Sequence, residues 1–292
     1  MAEIHQKIVP HLWFDHQAAE AVHYYVSLFT ESELTGSVVL PATPSGDAEV
    51  FSFTLLGSRF MAINGGPSFR INPSISFFVY CGSDREIERL YDELSRDGEV
   101  MFPLDSYPWA RRYAFIQDRF GVAWQLDADP IVSAQKIVPT ILLGGTKGGL
   151  VREAMRFWSS CFHDSRILLE ARADPSTGLP EGSLLFAQFK LGGYLLNAMS
   201  SPLDHGYDFN EAVSLMVECS SQEEIDDFWQ KLGAGGSEQP CGWLKDRFGL
   251  SWQVVPAEMN ELIFQSGGEK LERILRVMLP MKKLDMEALR NA

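Results

Sequence analysis

No stretch of this sequence reaches the roughly 18 apolar residues that a membrane span needs. The N-terminal residues, MAEIHQKIVPHLWF, lack a basic region followed by an apolar stretch, so no secretory signal is read there. Basic residues are scarce: 25 Lys and Arg stand against 39 Asp and Glu, a formal net charge of −14. Binding phosphates along a nucleic acid needs a basic face, so the charge excludes nucleic acid as a partner, and an anionic membrane surface with it. Cysteine is sparse too. Cys81, Cys161, Cys219 and Cys241 form no CxxC pair, which excludes a zinc ribbon or a thioredoxin-type redox site. They read as small buried thiols, as expected of a cytoplasmic protein. No GxGxxG occurs, so a doubly wound cofactor site, including one for S-adenosylmethionine, is not expected. LGGTKGGL at 143–150 misses the GxxxxGK(S/T) pattern of a phosphate loop and reads as an insertion ahead of a helix. There is no GxSxG nucleophile elbow. SPLDHGYDFN, which holds His205 and two acids, reads as a solvated loop rather than a triad.

What the chain does have is a repeat. DRFGVAWQL at 118–126 returns as DRFGLSWQV at 246–254, with six of nine residues unchanged. KIVP at 7–10 returns at 136–139, LGSRFMAINGGP at 56–67 aligns with LGGYLLNAMSSP at 191–202, and SFFVYCGSDREIERLYDEL at 76–94 aligns with SLMVECSSQEEIDDFWQKL at 214–232. The order is the same in both halves. The sequence therefore divides into two homologous domains, 7–127 and 136–256, a linker at 128–135 and a tail at 257–292.

Each half divides again. VPHLWF alternates and reads as a strand, and AAEAVHYYVSLF puts Ala18, Val22, Tyr25 and Phe29 on one helical stripe. VFSFTLLG and SRFMAIN form a hairpin about Gly57. A second unit starts near Ile75, and its helix opens with a capping box, Ser83 and Glu86, repeated as Ser221 and Glu224. Its core stripe is Ile87, Leu90, Tyr91 and Leu94, matched by Ile225, Phe228, Trp229 and Leu232. The unit is strand–helix–strand–strand–strand, four times per chain. The fold class is α+β, with two such units bending into a cup that suits a small ligand. GEKLERILRVML, broken at Pro280, is an amphipathic helix that should cover the second domain or a partner subunit.

PHLWFDHQAAEAVHYYVSLF, MAINGGP, FNEAVSLMVEC, CGWLKDRFGLSWQV and RVMLPMKKLDMEAL together resemble the PhnB-like proteins, labelled 3-demethylubiquinone-9 3-methyltransferase domain proteins. That family lies in the vicinal-oxygen-chelate superfamily, with glyoxalase I, bleomycin-resistance proteins and extradiol dioxygenases. The resemblance implies tandem domains built of paired βαβββ modules around a cupped pocket. In metal-using relatives a His or Gln on a module's first strand and a Glu on its last strand hold a divalent ion. Gln125 and Gln253 stand where that Glu would be, and a neutral amide is a poorer ligand than a carboxylate. The implied function is therefore small-molecule binding with no cofactor. The alternatives are a divalent-metal lyase, isomerase or dioxygenase of the same fold, or the methyltransferase of the label.

Strand alternation selects the candidates for the pocket. Trp124 shares a face with Val122 and Leu126, so Gln125 faces the other way, as does Gln253 in the second copy. Each Gln either meets a ligand carbonyl or hydroxyl, or bonds a neighbouring group. His11 and Trp13 share a face with Val9. His11 is an acid–base candidate or a hydrogen-bonded core residue, and Trp13 stacks on a planar ligand or fills the barrel. Asn64, ahead of Gly65 and Gly66, either touches a ligand or builds a turn, and in the second copy Asn197 sits two residues earlier in register on the same face. The expected ligand-binding set is His11, Trp13, Asn64, Gln125, Asn197 and Gln253, with no metal ligands. The expected partner is a small molecule, in a monomer whose two halves act as an internal pseudo-dimer, or in a homodimer.

Overall fold

In a computed structural model, residues 6–43, 46–129 and 133–292 are described. Part of the linker, residues 130–132, lies outside them. Four modules follow one another. The first is β1 (Ile8–Phe14), α1 (Ala18–Leu28), β2 (Glu33–Thr43), β3 (Gly46–Leu55) and β4 (Ser58–Asn64). The second is β5 (Ile75–Tyr80), α2 (Asp84–Leu94), β6 (Glu99–Tyr107), β7 (Ala110–Gln117) and β8 (Ala123–Asp127). The third is β9 (Ile137–Leu143), α3 (Val151–Cys161), β10 (Arg166–Arg172), β11 (Leu184–Leu191) and β12 (Tyr194–Ser200). The fourth is β13 (Val213–Cys219), α4 (Gln222–Gly233), β14 (Ser237–Glu238), β15 (Trp243–Lys245) and β16 (Ser251–Pro256). The tail forms α5 (Met259–Phe264), α6 (Gly268–Met278) and α7 (Met286–Arg290). Among the described residues no helix is long and apolar enough to cross a membrane.

Within every module the first strand pairs in parallel with the last. This leaves one edge of each first strand open. Those edges pair antiparallel with each other, β1 with β13 and β5 with β9. Two eight-stranded sheets result. Sheet A runs β14-β15-β16-β13-β1-β4-β3-β2 and sheet B runs β10-β11-β12-β9-β5-β8-β7-β6. Each cup thus takes one module from each half, the first with the fourth and the second with the third. β1 and β9 sit at the sheet centres and are buried on both faces, as expected of central strands, with one polar side chain each, His11 and Thr140.

One large core joins α1–α4 to one face of both sheets, with Trp124, Trp158 and Trp252 fully buried in it. The opposite faces form separate clusters, one shared with the tail and one within sheet B. Both capping boxes form. Ser83 Oγ accepts from the Glu86 amide at 3.2 Å while Glu86 accepts from the Gly82 amide at 2.6 Å, and Ser221 and Glu224 repeat the arrangement.

The DRFG segments tie each half together. Asp118 Oδ2 accepts from the Tyr25 hydroxyl at 2.7 Å and the Trp124 indole at 2.8 Å. Its Oδ1 accepts the amides of Phe120 and Val122. Asp246 repeats this with Trp158 at 2.7 Å and Trp252 at 2.9 Å, and with the amides of Phe248 and Leu250. Arg119 lies 4.7 Å over Tyr24, and Arg247 lies 4.4 Å over Phe157. Each segment therefore bolts the helix of one module to the last strand of the next. The turns that allow it have φ of +89° at Gly121 and +86° at Gly249, which favour glycine.

The fourth module is the short one: β14 has two residues and β15 three. The tail fills that side. Its segment after α6 accepts the amides of Cys241 and Gly242 through the Met281 and Lys282 carbonyls. α5 and α6 then reach β2 of the first module, with the Phe264 ring 3.0 Å from where a Cβ on Gly36 would sit.

Candidate functional site

The concave side of sheet A and the tail enclose a cavity of about 440 Å³. Its floor comes from β1, β3, β4, β13 and β16, and its roof from α5, the end of α6 and the segment after it. The lining is largely apolar: Val50, Met61, Ile63, Met216 and Val255 below, Met259, Ile263, Phe264, Met278 and Leu284 above. Aromatic walls come from Trp13, Phe69 and Trp243.

Three of the expected residues meet here: His11, Trp13 and Gln253. His11 lies edge-on to Trp243 at 5.6 Å between ring centroids. Its Nδ1 is buried and has no hydrogen-bond partner among the described residues. Burial pushes the imidazole down to about 4, so the ring is neutral near pH 7. The Trp13 indole donates to the Gly66 carbonyl at 2.8 Å. A Cβ on Gly65 would stand 2.3 Å from the Trp13 ring, so the glycine is what lets that ring lie against the loop. Gln253 Nε2 donates to Ser214 Oγ at 2.9 Å.

The other three lie elsewhere. Asn64 Oδ1 accepts the Ala18 amide at 2.7 Å and so caps α1. Gln125 and Asn197 sit in the cup of sheet B, inside a network that its own side chains complete. Gln125 Oε1 accepts from the Tyr113 hydroxyl at 2.7 Å and its Nε2 donates to Ser76 Oγ at 2.8 Å. Asn197 Nδ2 donates to Thr140 Oγ1 at 3.2 Å and its Oδ1 accepts from Gln188 at 3.1 Å. The repeated Gln thus has two settings, a satisfied network in sheet B and a cavity wall in sheet A.

The polar end of the cavity also contains Glu211, Gln239 and Trp243, which the sequence reading did not select. Glu211 accepts from Gln239 Nε2 at 2.6 Å and pairs with Lys245 at 3.0 Å. Gln239 Oε1 is buried without a partner among the described residues. Gln239 and Trp243 carried no sequence signal because the fourth module is too short there to align with the others, and Glu211 lies in the loop ahead of β13, where strand alternation does not apply.

The family resemblance noted in the sequence implies a divalent ion in its metal-using members, so the donor set can be tested for one. His11 and Gln253 offer one imidazole and one amide, and Glu211 is already engaged by Lys245 and Gln239. Among the described residues no group of three or more His, Cys, Asp or Glu is placed to hold a metal ion. A catalytic zinc takes three such protein ligands and a hard cation takes several oxygens. The residues present do not fit that ion.

The desolvated imidazole has a measurable consequence. Its folded pKa is depressed, so above pH 6.5 both states are neutral and its contribution is fully present. As the pH falls from 6.5 towards 4 the unfolded chain takes up the proton first, and stability is lost. The loss is about 3 kcal/mol for a shift of this size. His11→Leu should therefore be less acid-sensitive than the parent between pH 6.5 and 4, as measured by urea midpoints across that range. Parallel pH profiles would show that the histidine is not buried neutral.

The family described as 3-demethylubiquinone-9 3-methyltransferase matches residues 6–127 and again residues 135–255. Among solved structures, the chain is similar to a PhnB protein from Bacillus cereus, described as a putative 3-demethylubiquinone-9 3-methyltransferase. Identity is 33%, over 42% of this chain and 98% of that one, with a TM-score of 0.39. It is also similar to glyoxalase I from Zea mays, at 11% identity over 86% of this chain and 93% of that one, with a TM-score of 0.55. The second likeness spans both halves and shows the fold. No curated protein matches the chain. The two family matches together cover all four modules and stop where the tail begins, so the chain belongs to the 3-demethylubiquinone-9 3-methyltransferase, or PhnB-like, family as a tandem pair with the glyoxalase fold.

Proposed function

We propose that this protein binds a small, flat, neutral molecule in the cup of sheet A, with an apolar body and one hydroxyl or similar group at its polar end. One observation carries the reading. An apolar cavity has two buried polar atoms in its lining, His11 Nδ1 and Gln239 Oε1, that no described protein group satisfies. Leaving such atoms unpaired costs about 1–3 kcal/mol each, and a ligand that pairs with them recovers it. An amide oxygen accepts only, and a neutral imidazole nitrogen accepts or donates, so a hydroxyl suits both. A charged ligand is disfavoured, because Glu211 already takes the nearby Lys245 and an unpaired buried charge is costly. Trp13, Phe69 and Trp243 offer ring faces and edges to a planar body. The donor set does not suit a divalent ion, so binding is assigned to these side chains alone.

Calorimetry with 1-naphthol and naphthalene tests the polar end. The hydroxyl compound should bind at least tenfold more tightly, and His11→Leu should erase most of that difference. Equal affinities for the two compounds in the parent protein would contradict the reading.

A further inference from the structure

A groove of about 660 Å³ runs along α3 and shares no lining residue with the sheet A cavity. Arg152, Arg156 and Arg247 line it, together with Gly148, Gly149 and Ser183. The two halves of the chain supply an internal control. Arg119 and Arg247 occupy matching places in the repeat, each over an aromatic ring of the helix it clamps and each facing a glutamate, Glu20 or Glu153. That clamp is common to both halves. The rest of the groove is not. Where the first half has Ala19 and His23 on α1, the second has Arg152 and Arg156 on α3.

The helix starts differ as well. Asn64 caps the Ala18 amide in the first half. α3 is preceded by Leu150, which offers no side-chain acceptor, and among the described residues the amides of Val151, Arg152 and Glu153 find no acceptor. Beside that end lies Ser183, only 6% exposed, lining the groove with a hydroxyl that has no partner among the described residues. Its oxygen is 2.8 Å from where a Cβ on Gly149 would stand, so the hydroxyl sits at the chain segment that enters the helix. Arg152 is held by Glu170 and Arg247 by Glu153, while Arg156 has no carboxylate partner among the described residues. Glu153 and Glu181 also line the groove and set an upper limit on its attraction for anions.

We propose that this groove is a second binding site, for a phosphate group, either free or carried by a small ester. Unpaired first-turn amides point at a bound anion and the helix dipole favours it. Arg156 supplies a forked donor that suits phosphate geometry, and the Ser183 hydroxyl supplies one more. The adjoining Gly148 and Gly149 keep the approach to the helix end clear of side chains.

The test is titration of the full chain with inorganic phosphate, and separately with glycerol 3-phosphate, followed by amide resonances. The Val151, Arg152 and Glu153 amides should shift saturably. Arg156→Gln and Ser183→Ala should each weaken binding, the first by at least tenfold. Arg156 is exposed and outside the carboxylate pairs, so its replacement leaves the fold intact. Tighter binding of the ester would identify the groove as a site for a phosphorylated metabolite, and equal binding would identify the free oxyanion as sufficient. Shifts that do not saturate, or that Arg156→Gln leaves unchanged, would overturn the proposal.

Discussion

Asp118→Ala and Asp246→Ala should each lower the stability of the protein by about 3–5 kcal/mol, since several buried donors lose their acceptor at about 1–3 kcal/mol each and part of that is recovered by relaxation. Each carboxylate receives four hydrogen bonds, two from side chains and two from amides. Truncation leaves all four donors buried without an acceptor. It also releases the helix of one module from the last strand of the next. A fall in thermal midpoint of roughly 10 °C is the corresponding reading for a chain of this size. Replacement by asparagine separates the parts of the effect. In Asp118→Asn the remaining side-chain oxygen still accepts the Phe120 and Val122 amides, but the new NH₂ group meets the Trp124 N–H as donor against donor. That variant should therefore lose less than alanine and more than nothing. Burial also raises the Asp118 carboxyl to about 6. A raised acid favours folding at low pH, so its contribution is lost as the pH rises through 6, opposite in sign to that of His11. A change below about 1 kcal/mol in both alanine variants, less than the cost of one buried unpaired donor, would show that the repeated segment is not what holds each half together.

The second large effect concerns the tail. Ending the chain after Pro256 removes α5, α6 and α7, and with them the roof of the sheet A cavity. Leu271, Ile274 and Leu275 are buried against the floor cluster, so their loss exposes Val9, Val50, Met61 and Met216 together. Affinity for 1-naphthol should fall by at least a hundredfold. Binding of an apolar fluorophore should rise as the floor opens into a hydrophobic patch. Strand content by circular dichroism should persist, because the four modules build the main core and the tail adds only Met286 to its buried residues. Ile274→Asp offers a full-length version of the test, since it places a charge in the roof–floor contact. Unchanged 1-naphthol affinity in both variants would mean that the tail is not part of the site.

The sequence was most informative where a pattern repeated. The four-module count, the capping boxes at Ser83 and Ser221, and the inward Trp124 and Trp252 follow from local chemistry that each module carries by itself. The pairing of modules across the halves did not follow. It depends on which open edge of β1 or β5 finds a partner, and every first strand looks equally apolar in sequence. The fate of the two glutamines was hidden for a related reason. Gln125 and Gln253 share a motif and a strand face, but Tyr113 reaches Gln125 whereas Trp243 of the short β15 pairs in register with Gln253. Asn64 and Gly65 were legible as special positions. Their partners, the Ala18 amide and the Trp13 ring, lie 46 and 52 residues away in the chain and could be seen only after folding. The amphipathic stripe of α6 announced a buried face. It could not say that the face would close a cup built from both halves.

The most direct test of ligand binding in the sheet A cup is a calorimetric titration of the full chain with 1-naphthol, with and without prior removal of divalent ions by a chelator. One equivalent should bind, in that cup alone, with a negative heat-capacity change from apolar burial and the same affinity in both conditions. Absence of binding, two equivalents bound, or binding that is lost with the ions and restored by adding zinc would contradict it.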